Sequence, residues 1–292
     1  MKPTGSPRMN AQFTVLLLAA VRVLSCLALF SAAATAWAQP SSTDQDQIWE
    51  SALEKSGVND VLAQANVLID QEITNLGKAP LGFTRVQLEQ LNQQFRRRFG
   101  SEQLKREIIE HLEQSFSQHD KQELDGILQS RQLRNLQQLQ EQLQDADIRK
   151  AMRSYRLRVK ELPPNSERMA LLVSLDEVLQ QSNLESQLKV ELRKQLLAVV
   201  SRLKTNQSYS EELLDQQLVN YRQSVEGEIS ENALFAYLYL LKRTPTHKLE
   251  QLLTSLDQPV FDRFMAVCLK TVQKSFLEAR QQISEDIRLA EH

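Results

Sequence analysis

Residues 147–164, DIRKAMRSYRLRVKELPP, decide the fold class of this chain. Apolar side chains recur here at intervals of three and four residues, for example at Ile148, Met152 and Val159. This spacing places them on one face of an α-helix. The Pro163–Pro164 pair then ends the helix, because proline lacks an N–H donor and its ring crowds the preceding turn.

The same helical pattern extends along the chain on both sides of this stretch. It begins at Ile48 and continues almost unbroken, because only 7 Gly and 8 Pro interrupt 292 residues. The chain is rich in Leu and contains 34 Gln, both of which favour helices. No stretch alternates apolar and polar residues over the length of a strand. We therefore predict an all-α fold.

The expected helices are about 46–56, 58–75, 84–98, 101–117, 120–144 and 146–162, then 166–181, 183–204, 210–225, 230–243, 245–256 and 259–289. Ser101 and Ser210 precede apolar-periodic runs, so we expect their side chains to cap helix N-termini. In the pair Thr244–Pro245 we expect an N-cap threonine followed by proline at the first helical position.

The first 38 residues have the pattern of a secretory signal peptide. Basic residues, the last of them Arg22, precede an apolar run over 23–30, and Ala36–Ala38 supplies an A-x-A cleavage signal. A membrane anchor would need about 18 uninterrupted apolar residues, and Arg22 divides the run. We expect cleavage after Ala38, a polar linker over 39–47, and a periplasmic or secreted product.

The charge and the cysteine content of the chain argue against nucleic-acid binding, an internal disulfide and a reactive thiol. Cleavage would leave 32 basic against 37 acidic residues, a net charge of about −5, which gives no sign of nucleic-acid binding. Cys268 would then be the remaining cysteine, so no internal disulfide is expected. It lies between Phe264 and Val272 at helical spacing, which indicates a buried, inert thiol.

The Pro163–Pro164 pair divides the mature chain into two halves that resemble each other. Residues 53–62 align with 179–188 at an offset of 126, and 127–159 align with 240–272 at an offset of 113. The expected organisation is two tandem multi-helix bundles, a first helical repeat over 48–162 and a second over 165–290.

Two short motifs resemble an exported bacterial family named "domain of unknown function 2059". They are Leu-x-x-Ser-Gly-Val at 53–58, and a late apolar helix running into Thr-Pro-x-His-Lys at 244–248. His247 stands where that family usually has glycine, and Lys242 where it usually has an aromatic residue; in the first repeat Gln132 replaces the proline. The resemblance implies an exported, all-helical, mostly Gram-negative protein, with no catalytic residues to carry over.

No assembled catalytic or metal-binding motif is visible. The histidines are His111, His119, His247 and His292, and none lies in H-E-x-x-H or three positions after a Glu. Glu107 and His111 are one helical turn apart, which is an ordinary surface pairing. We expect no cofactor, no metal and no enzymatic activity.

Two features stand out as candidate interaction surfaces. The first is a cationic stripe on the helix around 147–162, formed by Arg149, Arg153, Arg156 and Lys160. Such a stripe suits contact with an anionic membrane surface or an acidic protein, although an ordinary solvated helix face has the same appearance.

The second feature is the run of nine apolar residues at 233–241, which includes Phe235, Tyr237 and Tyr239. It is too short to span a bilayer. Either it is the packing centre of the second repeat, or part of it faces a partner or an apolar ligand.

These observations leave three hypotheses for function. The first is a non-enzymatic periplasmic interaction protein, an adaptor or chaperone-like factor with an envelope protein as partner. The second is a binder of a lipid or other apolar ligand, with the helix of Tyr237 and Tyr239 as the wall of the pocket. The third is an envelope hydrolase, for which the sequence offers no motif.

Overall fold

Helices joined by short turns make up the fold, which confirms the all-α class. The computed structural model describes residues 42–162, 164–205 and 209–290, without the side chains of 42–46, 144, 205 and 281–290, and no strand occurs among them. The predicted signal peptide and its cleavage site lie outside the described residues. The predicted linker, 39–47, lies outside them only in part, because the first helix already begins at Ser42.

The helices of the first half are α1 (Ser42–Lys55), α2 (Val58–Lys78), α3 (Arg85–Phe99), α4 (Ser101–Ser115), α5 (Gln118–Leu128), α6 (Arg131–Glu141) and α7 (Ala146–Glu161), with a 3₁₀ turn at Gln142–Gln144 before α7. Those of the second half are α8 (Ser166–Leu179), α9 (Gln181–Thr205), α10 (Glu211–Leu240), α11 (Thr246–Leu256) and α12 (Pro259–Ala290).

Two helix boundaries differ from expectation. The helices predicted at 210–225 and 230–243 are one continuous helix, α10, which runs through Gly227. Glycine inside a helix costs about 1 kcal/mol, and burial of Leu218 and Ile229 on either side of it offsets that cost. Conversely, the helix predicted at 120–144 breaks after Leu128, because the Ser130 side chain accepts a hydrogen bond from the Leu133 N–H and starts α6.

The predicted caps are correct in one case out of three. Ser210 caps α10, since its hydroxyl oxygen accepts from the Leu213 N–H at 3.3 Å. Ser101 does not cap α4: Gly100 occupies the N-cap position, and the Ser101 hydroxyl accepts instead from the side chain of Asn66.

Thr244 was also expected as a cap, and this expectation is wrong. Pro245 is the N-cap residue of α11, with an extended ψ of 150°, so the helix begins only at Thr246. The Thr244 N–H donates to the Leu241 carbonyl at 2.8 Å, and its own carbonyl accepts from Arg168 at 3.0 Å. Thr244 therefore belongs to the turn that follows α10 and is held there by α8.

The separation into two bundles is not confirmed. From Asp46 onward the chain forms one compact unit, and one continuous apolar core runs from Trp49 to Ala279. Helix α12 packs on α9 of its own half and also on α4 and α5 of the first half. Phe276 of α12 stacks on Phe99 with ring centroids 4.3 Å apart. The long apolar face of α12 thus spans both halves.

The two halves also meet where α2 packs on α9. Gly57, just before α2, has a φ of 77°, and a Cβ at this position would lie 2.2 Å from Gln181 Nε2. The left-handed backbone favours glycine at this position, and a side chain here would displace the Gln181 carboxamide. The absence of a side chain at Gly57 allows the Gln181 side chain to donate to the Ser56 carbonyl at 2.7 Å.

We expect Leu238→Ala and Leu252→Ala each to lower the free energy of unfolding by about 2–5 kcal/mol, because both side chains are buried and truncation leaves a cavity. Urea unfolding followed by circular dichroism measures the change. Leu157→Ala, at a site 68% exposed, should change stability by no more than about 0.5 kcal/mol. Equal effects of all three substitutions would contradict this core.

A surface and a cleft around helix α7

Helix α7 lies against the C-terminal part of α10, so the two stretches singled out in the sequence are in contact. Arg156 donates from Nη1 to Asn232 Oδ1 at 2.8 Å, and its Nη2 lies 2.8 Å from Glu231 Oε2. Lys160 lies 3.4 Å from the same carboxylate. Hydrogen bonding to Arg156, which is the largest cause, lowers the pKa of Glu231. Arg156 and Lys160 therefore hold α7 on the protein.

Aromatic side chains also stabilise the contact between α7 and α10. The Arg156 guanidinium lies 4.6 Å from the ring centroid of Phe235, a cation–π distance. Tyr155 of α7 meets Tyr239 edge to face, with centroids 5.6 Å apart. On its other side, Tyr239 contacts Lys242, whose Nζ lies 3.6 Å from the ring centroid. Phe235 and Tyr239, predicted as interaction residues, are half-buried partners of α7.

Tyr237, the third predicted aromatic, is buried. Burial, together with the charge of Asp176, raises the pKa of its hydroxyl. Burial also raises the pKa of Asp176 itself, although this carboxylate accepts a hydrogen bond from the Ser182 hydroxyl at 2.6 Å. Tyr237 therefore acts as a packing residue between α8, α9 and α10, with its ring at the edge of the cleft described below.

The outer face of α7 is exposed and basic. Among the residues of α7, all of which the structure describes, only Val159 is buried. Arg149 and Arg153 are exposed; Arg149 also donates to the Leu143 carbonyl at 3.2 Å. Leu157, one helical turn after Arg153, is 68% exposed. Of the four predicted stripe residues, two thus face outward and two serve the contact with α10.

A cleft of about 530 Å³ opens beneath α7, between α2, α9 and α10. Its apolar wall includes Met152 from α7 and Ala233, Ala236 and Leu240 from α10, and Val61 of α2 is a further apolar lining residue. Its polar wall carries the carboxamides of Gln64, Gln140 and Gln181 and the carboxylates of Asp60 and Glu185. A cleft of this size is within the range of small-molecule sites.

The sequence contains no direct sign of this cleft. Gln181, which lines the cleft, donates a hydrogen bond to the Ser56 carbonyl and accepts one from Gln140 Nε2 at 3.2 Å. These three residues come from distant parts of the chain. The small residues Ala233 and Ala236, inside an otherwise bulky apolar run, are the available signal, because they leave room beside the helix.

Other candidate chemistry does not assemble in the described part of the chain. His111 Nδ1 lies 2.8 Å from the Glu107 carbonyl oxygen, and its Nε2 lies 3.1 Å from Lys274 Nζ. Cys268 is buried, as expected, and burial raises the pKa of its thiol. Among the described residues, no three or more His, Cys, Asp or Glu side chains lie close enough together to hold a metal ion.

We expect Arg156→Ala to loosen α7. Loss of a cation–π contact of about 0.5–1 kcal/mol should speed amide hydrogen exchange within α7 about two- to fivefold. Arg153→Ala removes the same charge from the outer face and should leave the exchange unchanged. Mass spectrometry of peptides covering 146–161 measures both. Identical exchange in the two variants would show that Arg156 does not anchor the helix.

We also expect a pH dependence from Asp176. Its pKa is raised in the folded state, so wild-type stability falls as pH rises from the ordinary aspartate pKa of about 3.9 through the folded value. Asp176→Asn removes this loss, and its stability relative to wild type should therefore increase with pH over that window. Urea unfolding at several pH values tests the sign; a relative stability that decreases with pH would contradict it.

None of the helices in the described part of the chain is both long and apolar enough to cross a bilayer. Comparisons of the chain with protein-family models, with curated proteins and with solved structures give no match. The resemblance to the family named "domain of unknown function 2059" therefore stays a prediction.

Proposed function

We propose that this chain is a non-enzymatic interaction protein of the bacterial envelope that docks on anionic lipid surfaces through the outer face of α7. The observation that carries the proposal is the combination of charge and exposure on one helix. Residues 146–161 contain six basic and two acidic side chains, and Val159 alone is buried among them.

The positive charge of α7 is a local exception. The whole chain has a formal net charge of −2, so the chain outside this basic helix is net negative. A basic residue near an anionic membrane surface contributes about 1 kcal/mol of attraction. Arg149, Lys150, Arg153 and Arg158 are exposed, and together they supply about 4 kcal/mol.

Exposed leucines add an apolar component to this surface. Leu157 is 68% exposed within the basic face, and Leu162, just after the helix, is 81% exposed. Burying one leucine contributes about 1.5–3 kcal/mol. The two contributions are of similar size, so we expect reversible, peripheral binding that salt weakens by screening.

The non-enzymatic character is part of the proposal. It is supported by the groups that line the cleft beneath α7, which include apolar side chains, carboxamides, the carboxylates of Asp60 and Glu185 and the phenol of the buried Tyr237. The Ser182 hydroxyl, which also lines the cleft, donates to Asp176 and belongs to a buried packing contact.

Sedimentation with lipid vesicles tests the proposed docking. We expect the protein to bind vesicles of phosphatidylcholine mixed with phosphatidylglycerol, and not vesicles of phosphatidylcholine alone. Lys150→Glu combined with Arg153→Glu should weaken binding by at least about 30-fold, because about 2 kcal/mol of attraction is lost. Raising the salt concentration should weaken the wild type in the same direction.

A matched control separates this surface from net charge. Arg97→Glu combined with Arg134→Glu makes the same change in charge on exposed positions of α3 and α6, and should bind the mixed vesicles as the wild type does. Equal loss in both double variants would reject α7 as the docking surface. If the wild type does not bind the mixed vesicles at low salt, docking on lipid is rejected. The expected partner of α7 is then an acidic protein.

A further inference from the structure

We infer that the cleft beneath α7 is a binding site for an amphipathic cation, a molecule with an apolar chain and an ammonium group. This inference is independent of the proposed docking on lipid, because it concerns the inner side of α7 and different residues. It rests on the uneven lining of the cleft, which is mostly apolar on α7 and α10 and carries both of its carboxylates on α2 and α9.

The apolar wall offers space for a chain. Ala233 and Ala236 of α10 line the cleft, and the residues next to them at 234, 235 and 237 are the bulkier Leu, Phe and Tyr. Met152 lines the same cleft from α7, and an unbranched thioether side chain adapts readily to the shape of a ligand. Each methylene group that the ligand buries here contributes about 0.8 kcal/mol.

The opposite wall selects the head group by charge. Asp60 and Glu185 line it, and no Lys or Arg is among the described residues that do so. Glu185 also binds Lys189 at 2.8 Å, which leaves the exposed Asp60 as the stronger source of negative potential. Asp60 is in the first turn of α2, and its full charge outweighs the half charge of that helix N-terminus.

The carboxamides supply the remaining hydrogen bonds. Gln64 and Gln140 face the cleft from α2 and α6, and each carries both a donor and an acceptor. Their oxygens accept from an ammonium group in addition to the carboxylates. A carboxylate head group would instead be placed beside Asp60 and Glu185, and like charges repel. The cleft therefore discriminates by the sign of the charge.

The size of the cleft fits a ligand of modest length. About 530 Å³ accommodates a medium-length alkyl chain together with its head group, and sites for small molecules span about 300–1,000 Å³. Octylamine, which is protonated at neutral pH, and octanoate are suitable probes. They share nearly the same apolar chain and differ in the sign of the head group.

Isothermal titration calorimetry of the full chain with the two probes tests the inference. We expect octylamine to bind at least about tenfold more tightly than octanoate, a difference of about 1.4 kcal/mol. Asp60→Asn combined with Glu185→Gln should abolish this preference. Glu54→Gln combined with Asp257→Asn, which removes two charges outside the cleft, should preserve it.

Blocking the cleft provides the second arm of the experiment. Ala236→Phe fills the apolar wall and should abolish binding of octylamine. Ala63→Trp places a large side chain on the opposite wall from an exposed position, where folding is not at risk. Equal affinity for both probes in the wild type, or octylamine binding that survives both blocking substitutions, would overturn the inference without bearing on vesicle binding.

Discussion

Burial of the apolar face of α12 across both halves of the chain is the interaction on which the rest of the structure depends. Phe261, Phe264 and Phe276 are fully buried along this helix, and Phe276 stacks on Phe99 of the first half. Arg280 adds a buried ionic anchor, with its guanidinium 2.8 Å from Glu191 and 2.7 Å from Glu211. Without α12, the helices α4, α5 and α9 would each lose a packing partner, and the core shared by the two halves would be reduced to contacts such as that of α2 with α9.

Helix α7 aligns in sequence with the first part of α12, and the two helices differ in burial. Ile148, Met152 and Val159 occur at the spacing of Phe261, Met265 and Val272, which is why the two stretches align. Each of the three in α12 is fully buried, whereas only Val159 is buried in α7. Met and Val recur in both stretches, and only Ile148 is smaller than its counterpart, Phe261; α7, which carries six basic residues, is thus lightly packed, with a basic outer face and a cleft beneath it.

The helical class, the single long helix at the C-terminus and the Ser210 cap could be predicted, because each depends on local periodicity or on one hydrogen bond. The two candidate surfaces were also identified from sequence, as a cationic stripe and an aromatic run. Their contact could not be predicted, since Arg156 meets Glu231 and Phe235 only after α7 folds back over α10. The cleft arises from the packing of five helices, and the continuity of α10 through Gly227 depends on neighbours that the local sequence does not specify.

The fully buried thiol of Cys268 has a practical consequence. Among the described residues Cys268 is the only cysteine. It is buried on the face of α12 that packs against both halves. A thiol reagent can reach it only when that helix moves away from its neighbours. The rate at which such a reagent modifies Cys268 therefore reports how often α12 separates from its neighbours. No label has to be introduced for this measurement.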